Sequence, residues 1–230
     1  MMKTIGLIGG MSWESTRHYY EFINEAVRDR LGGLHSAKIA LYSVDFGEIE
    51  PMLAAGDWDG LAAELSAAGR NVQACGADML LICTNTMHRL APQVAEVVNI
   101  PLLHIADATA EAVKAAGLSR IGLLGTRPTM VEDFYRGRLE QHGLDVILPE
   151  DADMDLVHGV IFDELCLGRV EAASKKEYCR IIDSMRERGA QGVILGCTEI
   201  AMLLDRQDCP LPLFDTTHIH AMAAVEAALD

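Results

Sequence analysis

Two cysteines are set apart by position. Cys83 and Cys197 each close an apolar run, precede a threonine and open a segment of helical period, as Cys83-Thr84-Asn85-Thr86 and Cys197-Thr198-Glu199. A thiol at a helix N-terminus feels unpaired N–H groups and the positive end of the dipole, which favour thiolate and predict a lowered pKa. Taken singly, either cysteine reads as a buried small hydrophobe. Their matched placement changes that reading, because two thiols related by duplication suit a reaction served from both faces of a planar intermediate. Racemisation at Cα is such a reaction: one thiolate removes the α-proton, the opposite thiol delivers one, and the roles exchange for the other enantiomer. Thr84, Asn85, Thr86, Thr126 and Thr198, with backbone N–H groups at the helix starts, are candidates to hold an α-carboxylate and stabilise enolate-like charge. Simple capping is the competing account for Thr86 and Thr198.

The elements that must position these residues repeat. Residues 4–10 match 120–126 and residues 76–84 match 189–198, with 116 positions between Ile5 and Ile121 and 114 between Cys83 and Cys197. Residues 100–107 and 211–215 share a weaker pattern of proline, apolar run and aspartate. Such a long-period repeat fixes architecture before any motif is read. Short apolar runs over 4–8, 38–44, 78–83, 101–105, 120–124, 144–148, 192–197 and 212–214 predict buried parallel strands. Between them, Tyr20, Ile23, Val27 and Leu31, then Leu61, Leu65, Ala68 and Val72, then Tyr178, Ile181 and Met185 recur at three- and four-residue spacing and predict buried helix faces. Glycines at 32, 33, 76, 117, 143, 168 and 189 follow helical stretches, where positive φ ends a helix. Two α/β units, each carrying functional loops beyond the carboxyl ends of its strands, are expected to face a common cleft.

Composition narrows the function. The chain has 230 residues and a formal charge of −15, from 19 Lys plus Arg against 34 Asp plus Glu. A chain of this size buries roughly 70–75% of its unfolded surface and needs no disulfide staples. The acidic balance argues against nucleic acid, whose binding rests on cations neutralising phosphates. No window supplies a membrane span, and the first residues lack the features of a secretory signal, so a soluble, cytoplasmic protein with reduced thiols is expected. The six cysteines include no C-x-x-C pair, which removes the usual zinc-ribbon and thioredoxin signatures.

On the loop Gly6-Leu7-Ile8-Gly9-Gly10-Met11-Ser12, the segment from Cys83 to His88 and the segment Gly196-Cys197-Thr198-Glu199, the chain resembles the cofactor-independent aspartate/glutamate racemases over its full length. The resemblance implies two pseudo-symmetric flavodoxin-like domains, each with a mainly parallel four-stranded sheet flanked by helices and an active site between them. It places the first domain at 1–100 with 211–230, since the last strand and helix return to it, and the second at 101–210. It implies Cys83 and Cys197 as the acid/base pair, substrate contacts from Met11, Thr84, Asn85, Thr86, Thr126, Thr198, Glu199 and Cys166, no cofactor, no metal, a small amino-acid substrate and a homodimer.

One departure bears on substrate. Aspartate racemases of this family grip the distal carboxylate with an Arg and a Lys, whereas the corresponding stretches, 43–50 and 161–168, carry Asp45, Glu48, Glu164 and Cys166 and no basic residue. An unpaired anionic side chain in a desolvated site costs several kcal/mol, so a polar or uncharged amino acid is the alternative substrate unless Arg17, Arg127 or Lys175 reaches in. Related activities, among them hydantoin racemase, maleate isomerase and arylmalonate decarboxylase, and a non-catalytic amino-acid-binding protein, are the competing functions. A nicotinamide enzyme is disfavoured because the first loop reads G-x-x-G-G and not G-x-G-x-x-G. His88 is read as a surface or capping histidine, Asp107 and Asp215 as N-caps, Lys175 and Lys176 as a solvated helix face. His218 and His220, two apart on a helix, do not share a face as metal ligands would.

Overall fold

The computed structural model describes residues 1–205 and 207–230. They form two compact units, Met1–Ile105 with His220–Asp230, and Ala106–Ile219. The first contains β1 (Ile5–Gly9), α1 (Trp13–Leu31), β2 (Ile39–Ser43), α2 (Phe46–Ala55), α3 (Trp58–Ala74), β3 (Met79–Ile82), a 3-10 turn over Thr86–Leu90 and α4 (Ala91–Glu96). The second contains α5 (Ile105–Ala115), β4 (Arg120–Gly125), α6 (Arg127–Val131), α7 (Arg138–Gln141), β5 (Asp145–Ile147), α8 (Asp151–Asp163), α9 (Ala172–Glu187), β6 (Val193–Gly196), α10 (Ile200–Leu203) and β7 (Leu213–Asp215), and α11 (Thr216–Leu229) starts in it and continues into the first. The chain crosses between units at the first residue of α5 and within α11.

The first sheet is parallel in the order β2-β1-β3. Alternation along its strands sorts side chains into two layers, as the two-residue period of a strand requires. Ile5, Leu7, Met79, Leu81 and Cys83 pack with Tyr19, Ile23 and Val27 of α1 and with Ala221, Ala224, Val225 and Ala228 of α11. Ile8, Leu80 and Ile82 pack on the other side with Leu61, Leu65, Ala68 and Val72 of α3. Full burial of each such Leu stabilises by about 1.5–3 kcal/mol. The α3 stripe is the one the spacing predicts. On α1 the buried apolar row is Tyr19, Ile23 and Val27, while Tyr20 is 55% exposed and Leu31, at the helix end, 45%; one residue of offset turns a side chain about 100° around a helix.

A fourth strand over 101–105 is not formed. Leu102 makes a single parallel bridge to Leu80, through Leu80 N–H to the Pro101 carbonyl and Leu103 N–H to the Leu80 carbonyl, both 2.9 Å. Two residues later the chain is already in α5, which leaves no length for a ladder.

The second sheet does have four parallel strands, in the order β5-β4-β6-β7. The last strand therefore does not return to the first unit with the last helix: Leu213, Phe214 and Asp215 pair with Val193, Ile194 and Leu195. Tyr178, Ile181 and Met185 of α9 are fully buried as the spacing predicts. The repeat in sequence is thus a repeat in topology, with β2-β1-β3 answered by β5-β4-β6.

Two glycine positions shape the carboxyl ends of the central strands. Gly10, just after β1, has φ +94°, and a Cβ there would lie 2.2 Å from the Val44 carbonyl oxygen. In the second unit Gly125 and Gly196 face each other on adjacent strands, and a Cβ on Gly196 would lie 2.9 Å from the Leu124 carbonyl. Only glycine admits the first conformation without strain and the second approach without a clash. No helix among the described residues is long and apolar enough to cross a membrane.

Candidate active site

In the first unit the carboxyl edge of the sheet gathers the Gly9-Gly10 loop, Ser43 to Asp45, and Cys83. Val44 N–H donates to the Gly9 carbonyl at 3.0 Å and Gly10 N–H to Thr16 Oγ1 at 2.9 Å. Cys83 N–H donates to the Ile8 carbonyl at 2.9 Å. Cys83 itself continues the alternation of β3 and is fully buried in the α1/α11 layer. Burial drives its thiol pKa well above the ordinary value, because a thiolate there has lost its water. Thr84 and Asn85 follow, and Asn85 is 4% exposed at the start of the five-residue 3-10 turn. Met11 packs into the α3 layer at 6% exposure with Ile8, Ile49 and Leu61, so its side chain serves the core and its backbone the loop. The Met11–Ser12 peptide bond is cis.

His88 is not at the surface. It is 1% exposed, with Nδ1 2.7 Å from the Thr84 carbonyl and Nε2 accepting from Ile105 N–H at 3.2 Å. Because Nε2 accepts, the ring proton of the neutral form sits on Nδ1 and is donated to Thr84. His104 and His220 pack against it, with ring centroids 4.5 and 5.6 Å away. His220 Nδ1 accepts from Tyr19 Oη at 2.9 Å, and its Nε2–H donates to the Leu103 carbonyl at 2.9 Å. Burial lowers the His220 pKa to about 4. His218 is exposed on the same helix, and among the described residues no group of three His, Cys, Asp or Glu is placed to hold a metal ion.

In the second unit the counterpart edge carries Cys197, directly after β6. Its Sγ–H donates to Glu199 Oε2 at 3.0 Å, and Thr198 Oγ1–H donates to the same oxygen at 2.5 Å. Burial raises the Cys197 pKa, and the charges of Glu199 and Cys166 raise it further. Cys166 lies on an exposed turn over Leu165–Leu167. Tyr178 donates to the Val157 carbonyl at 3.0 Å, and its phenol is pushed up by burial, then by the charges of Cys197 and Glu164. Glu164 accepts from Ser174 Oγ at 2.6 Å. One carboxylate, Glu199, thus touches this thiol, and a second, Glu164, acts on Tyr178. Thr126 shares a hydroxyl contact with Thr129 at 3.0 Å.

Two expectations do not hold in this region. Neither thiol is acidified by its helix, since the elements that follow are a five-residue 3-10 turn and a four-residue helix. The dipole of one turn is outweighed by desolvation. The cap positions of these two elements are held by Asn85 and Glu199, neither of which makes a side-chain capping bond. Asp107 is no cap either: it lies inside the first turn of α5 and takes two hydrogen bonds from Arg138, at 2.5 and 2.8 Å, and one from His142 at 2.9 Å. Asp215 does accept from Thr217 and His218 N–H, at 2.9 and 3.3 Å. Of the cations considered for a distal carboxylate, Arg127 is held by Asp155 at 2.6 Å and Asp151 at 3.4 Å, Lys175 is paired with Asp208 at 2.6 Å, and Arg17 is exposed.

A doubly repeated parallel α/β fold with a cysteine after the matching strand of each half defines a class of protein before any comparison is made. The profile of the family described as Asp/Glu/hydantoin racemase matches residues 8–224, and the chain belongs to that family. It is similar over 100% of both chains to a Yersinia pestis structure assigned provisionally as an Asp/Glu racemase, at 53% identity and a TM-score of 0.95. An aspartate racemase homologue from Pyrococcus horikoshii OT3 matches over 100% of both chains at 33% identity and a TM-score of 0.88. The broad specificity amino-acid racemase RacX of Bacillus subtilis (strain 168) matches at 21% identity over 98% of both.

Proposed function

We propose that this chain racemises a free amino acid without a cofactor, with Cys83 and Cys197 as the two proton-transfer groups and a substrate side chain that carries no negative charge. The observation that carries the reading is the Cys197–Glu199 hydrogen bond at 3.0 Å, at the end of the strand that repeats the one ending at Cys83. In one direction the Cys197 thiol passes its proton to Glu199, and the thiolate takes the α-proton. Cys83, a thiol, delivers a proton to the opposite face of the carbanion. The other direction is the same sequence reversed: the Cys83 thiolate left by the first turnover takes the α-proton, Cys197 delivers its proton to the opposite face, and the Cys197 thiolate recovers a proton from Glu199. The substrate ammonium offsets the charge of whichever thiolate forms, since a nearby opposite charge favours the ionised state. Thr84, Asn85, Thr86, Thr126 and Thr198, with adjacent N–H groups, orient the α-carboxylate and receive the charge that develops on it.

Glu199 beside Cys197, and the pairing of Arg127 and Lys175 with their own carboxylates, support a neutral or cationic side chain over a dicarboxylate. The Bacillus subtilis relative is named for broad amino-acid specificity, which supports a substrate range not confined to the two dicarboxylates. The test is chiral chromatography of purified protein with single enantiomers of neutral, basic and acidic amino acids. At least one neutral or basic amino acid is expected to show kcat/KM ten or more times that of aspartate and glutamate. A preference for the two dicarboxylates overturns the substrate class, and retention of full activity by both Cys83→Ser and Cys197→Ser overturns the mechanism.

A further inference from the structure

Cys83 is fastened on both sides. Its own N–H is tied to Ile8 of β1, and the next carbonyl, that of Thr84, is tied to His88. The imidazole is in turn fixed by Ile105 N–H, at the point where α5 begins. Rotation of the Thr84 peptide would break the 2.7 Å bond, and with it the relation between the Cys83 thiol and the Asn85 and Thr86 side chains that follow. The position 114 residues on from His88 is Met202, which is 42% exposed, so the clamp belongs to one half of the repeat alone. The groups that face His88 are His104 from the segment before α5, His220 from α11, and through His220 the hydroxyl of Tyr19 from α1. Arg89, next in the chain, stacks 4.0 Å over the Trp58 ring.

From this geometry we infer that His88 is the positioning residue for proton transfer at Cys83, acting in its neutral Nδ1–H form by holding the Thr84 carbonyl. The inference rests on the two-cysteine reading above and adds to it a residue that touches no substrate. The clamp needs one nitrogen as donor and one as acceptor, and only the neutral ring supplies both.

Two substitutions separate the two nitrogens. His88→Asn places an amide N–H near the Nδ1 position and can keep the Thr84 bond, whereas His88→Gln reaches the Nε2 position and can keep only the Ile105 bond. Each variant is to be assayed for kcat and KM on the best substrate, and for α-deuterium uptake by each pure enantiomer in heavy water. His88→Asn is expected to retain at least tenfold more kcat than His88→Gln, with KM within threefold for both. His88→Gln is expected to lose α-exchange for the same enantiomer as Cys83→Ser and to keep it for the other. In the unsubstituted protein, long-range nitrogen–proton correlation spectra should show the His88 proton on Nδ1, a readout that does not depend on either variant folding. Equal losses in the two variants, or a proton on Nε2, overturn the inference. If the single Cys83 and Cys197 variants show no enantiomer-selective exchange, the two-cysteine reading fails instead, and that failure is visible without His88.

Discussion

The two halves of the repeat follow their third strands with the same residue and surround it differently. At Cys83 the thiol lies in an apolar layer, followed by a neutral Asn85 and a neutral, doubly hydrogen-bonded histidine. At Cys197 the thiol donates to a carboxylate two residues on, with a second carboxylate at Tyr178. Asn85 and Glu199 occupy equivalent positions, so one residue separates a thiol with a proton acceptor beside it from a thiol without one. The repeat keeps the cysteine in each half and changes the charge beside it. Enantiomers have equal free energy in water, so kcat/KM must stay equal in both directions whatever the surroundings. The asymmetry is free to appear in kcat and KM taken separately, in the partial reactions and in the stability of each half.

The largest effect is expected from removing either thiol. Cys83→Ser and Cys197→Ser should each lower racemisation by about 10³-fold, within the 10²–10⁴ range of general acid–base catalysis, as read by chiral chromatography. A loss confined to Cys197→Ser would make Cys83 a core residue and break the comparison. Glu199→Gln, which makes the second site resemble the first, should lower kcat/KM by about 10²-fold, equally from either enantiomer. Unequal loss would point to a fault in the assay, and no loss would show that Cys197 sheds its proton elsewhere.

A smaller effect should appear in stability, and in the first unit alone. His220 has a folded pKa of about 4 against roughly 6.5 unfolded. Between those values the unfolded chain binds the proton and the folded one does not. The contribution is therefore complete above about pH 6.5, is lost progressively as pH falls to about 4, and amounts to on the order of 3 kcal/mol. Urea unfolding at pH 7, 5.5 and 4 should show this slope reduced in His220→Gln; an unchanged slope contradicts it. The smallest effect is kinetic. Brief treatment with iodoacetamide at pH 7 should alkylate the exposed Cys75 and Cys166 first and Cys83 last, since reactivity follows thiolate content and access. Early labelling of Cys83 on mapping by mass spectrometry would show that its layer opens readily.

Much of this was legible in sequence because it rested on periodicity and repetition. The strand ending at Cys197, the α3 stripe of Leu61, Leu65, Ala68 and Val72, and the glycines with positive φ follow from period and backbone sterics. The alignment of Cys83-Thr84-Asn85 with Cys197-Thr198-Glu199 already held the asymmetry, since it sets an amide against a carboxylate. What sequence did not show depended on competing terms or on distant partners. The raised thiol pKa values are a contest between desolvation and a short helix, which strand-end position does not decide. His88 finds its acceptor role at Ile105, 17 residues away, and no local pattern marks that bond. The strand expected over 101–105 has the right residue types, but its pairing stops at Leu102 because α5 starts at Ile105.

The central claim is that two different groups serve the two faces of one carbon. It is tested most directly by incubating the unsubstituted protein with one pure enantiomer of its best substrate in heavy water and measuring α-deuterium in both enantiomers at early times. Two-thiol chemistry predicts deuterium in the product enantiomer from the first turnover, with the recovered starting enantiomer still largely protiated. Equal labelling of both enantiomers from the outset would mean that a single group handles both faces and would contradict the account.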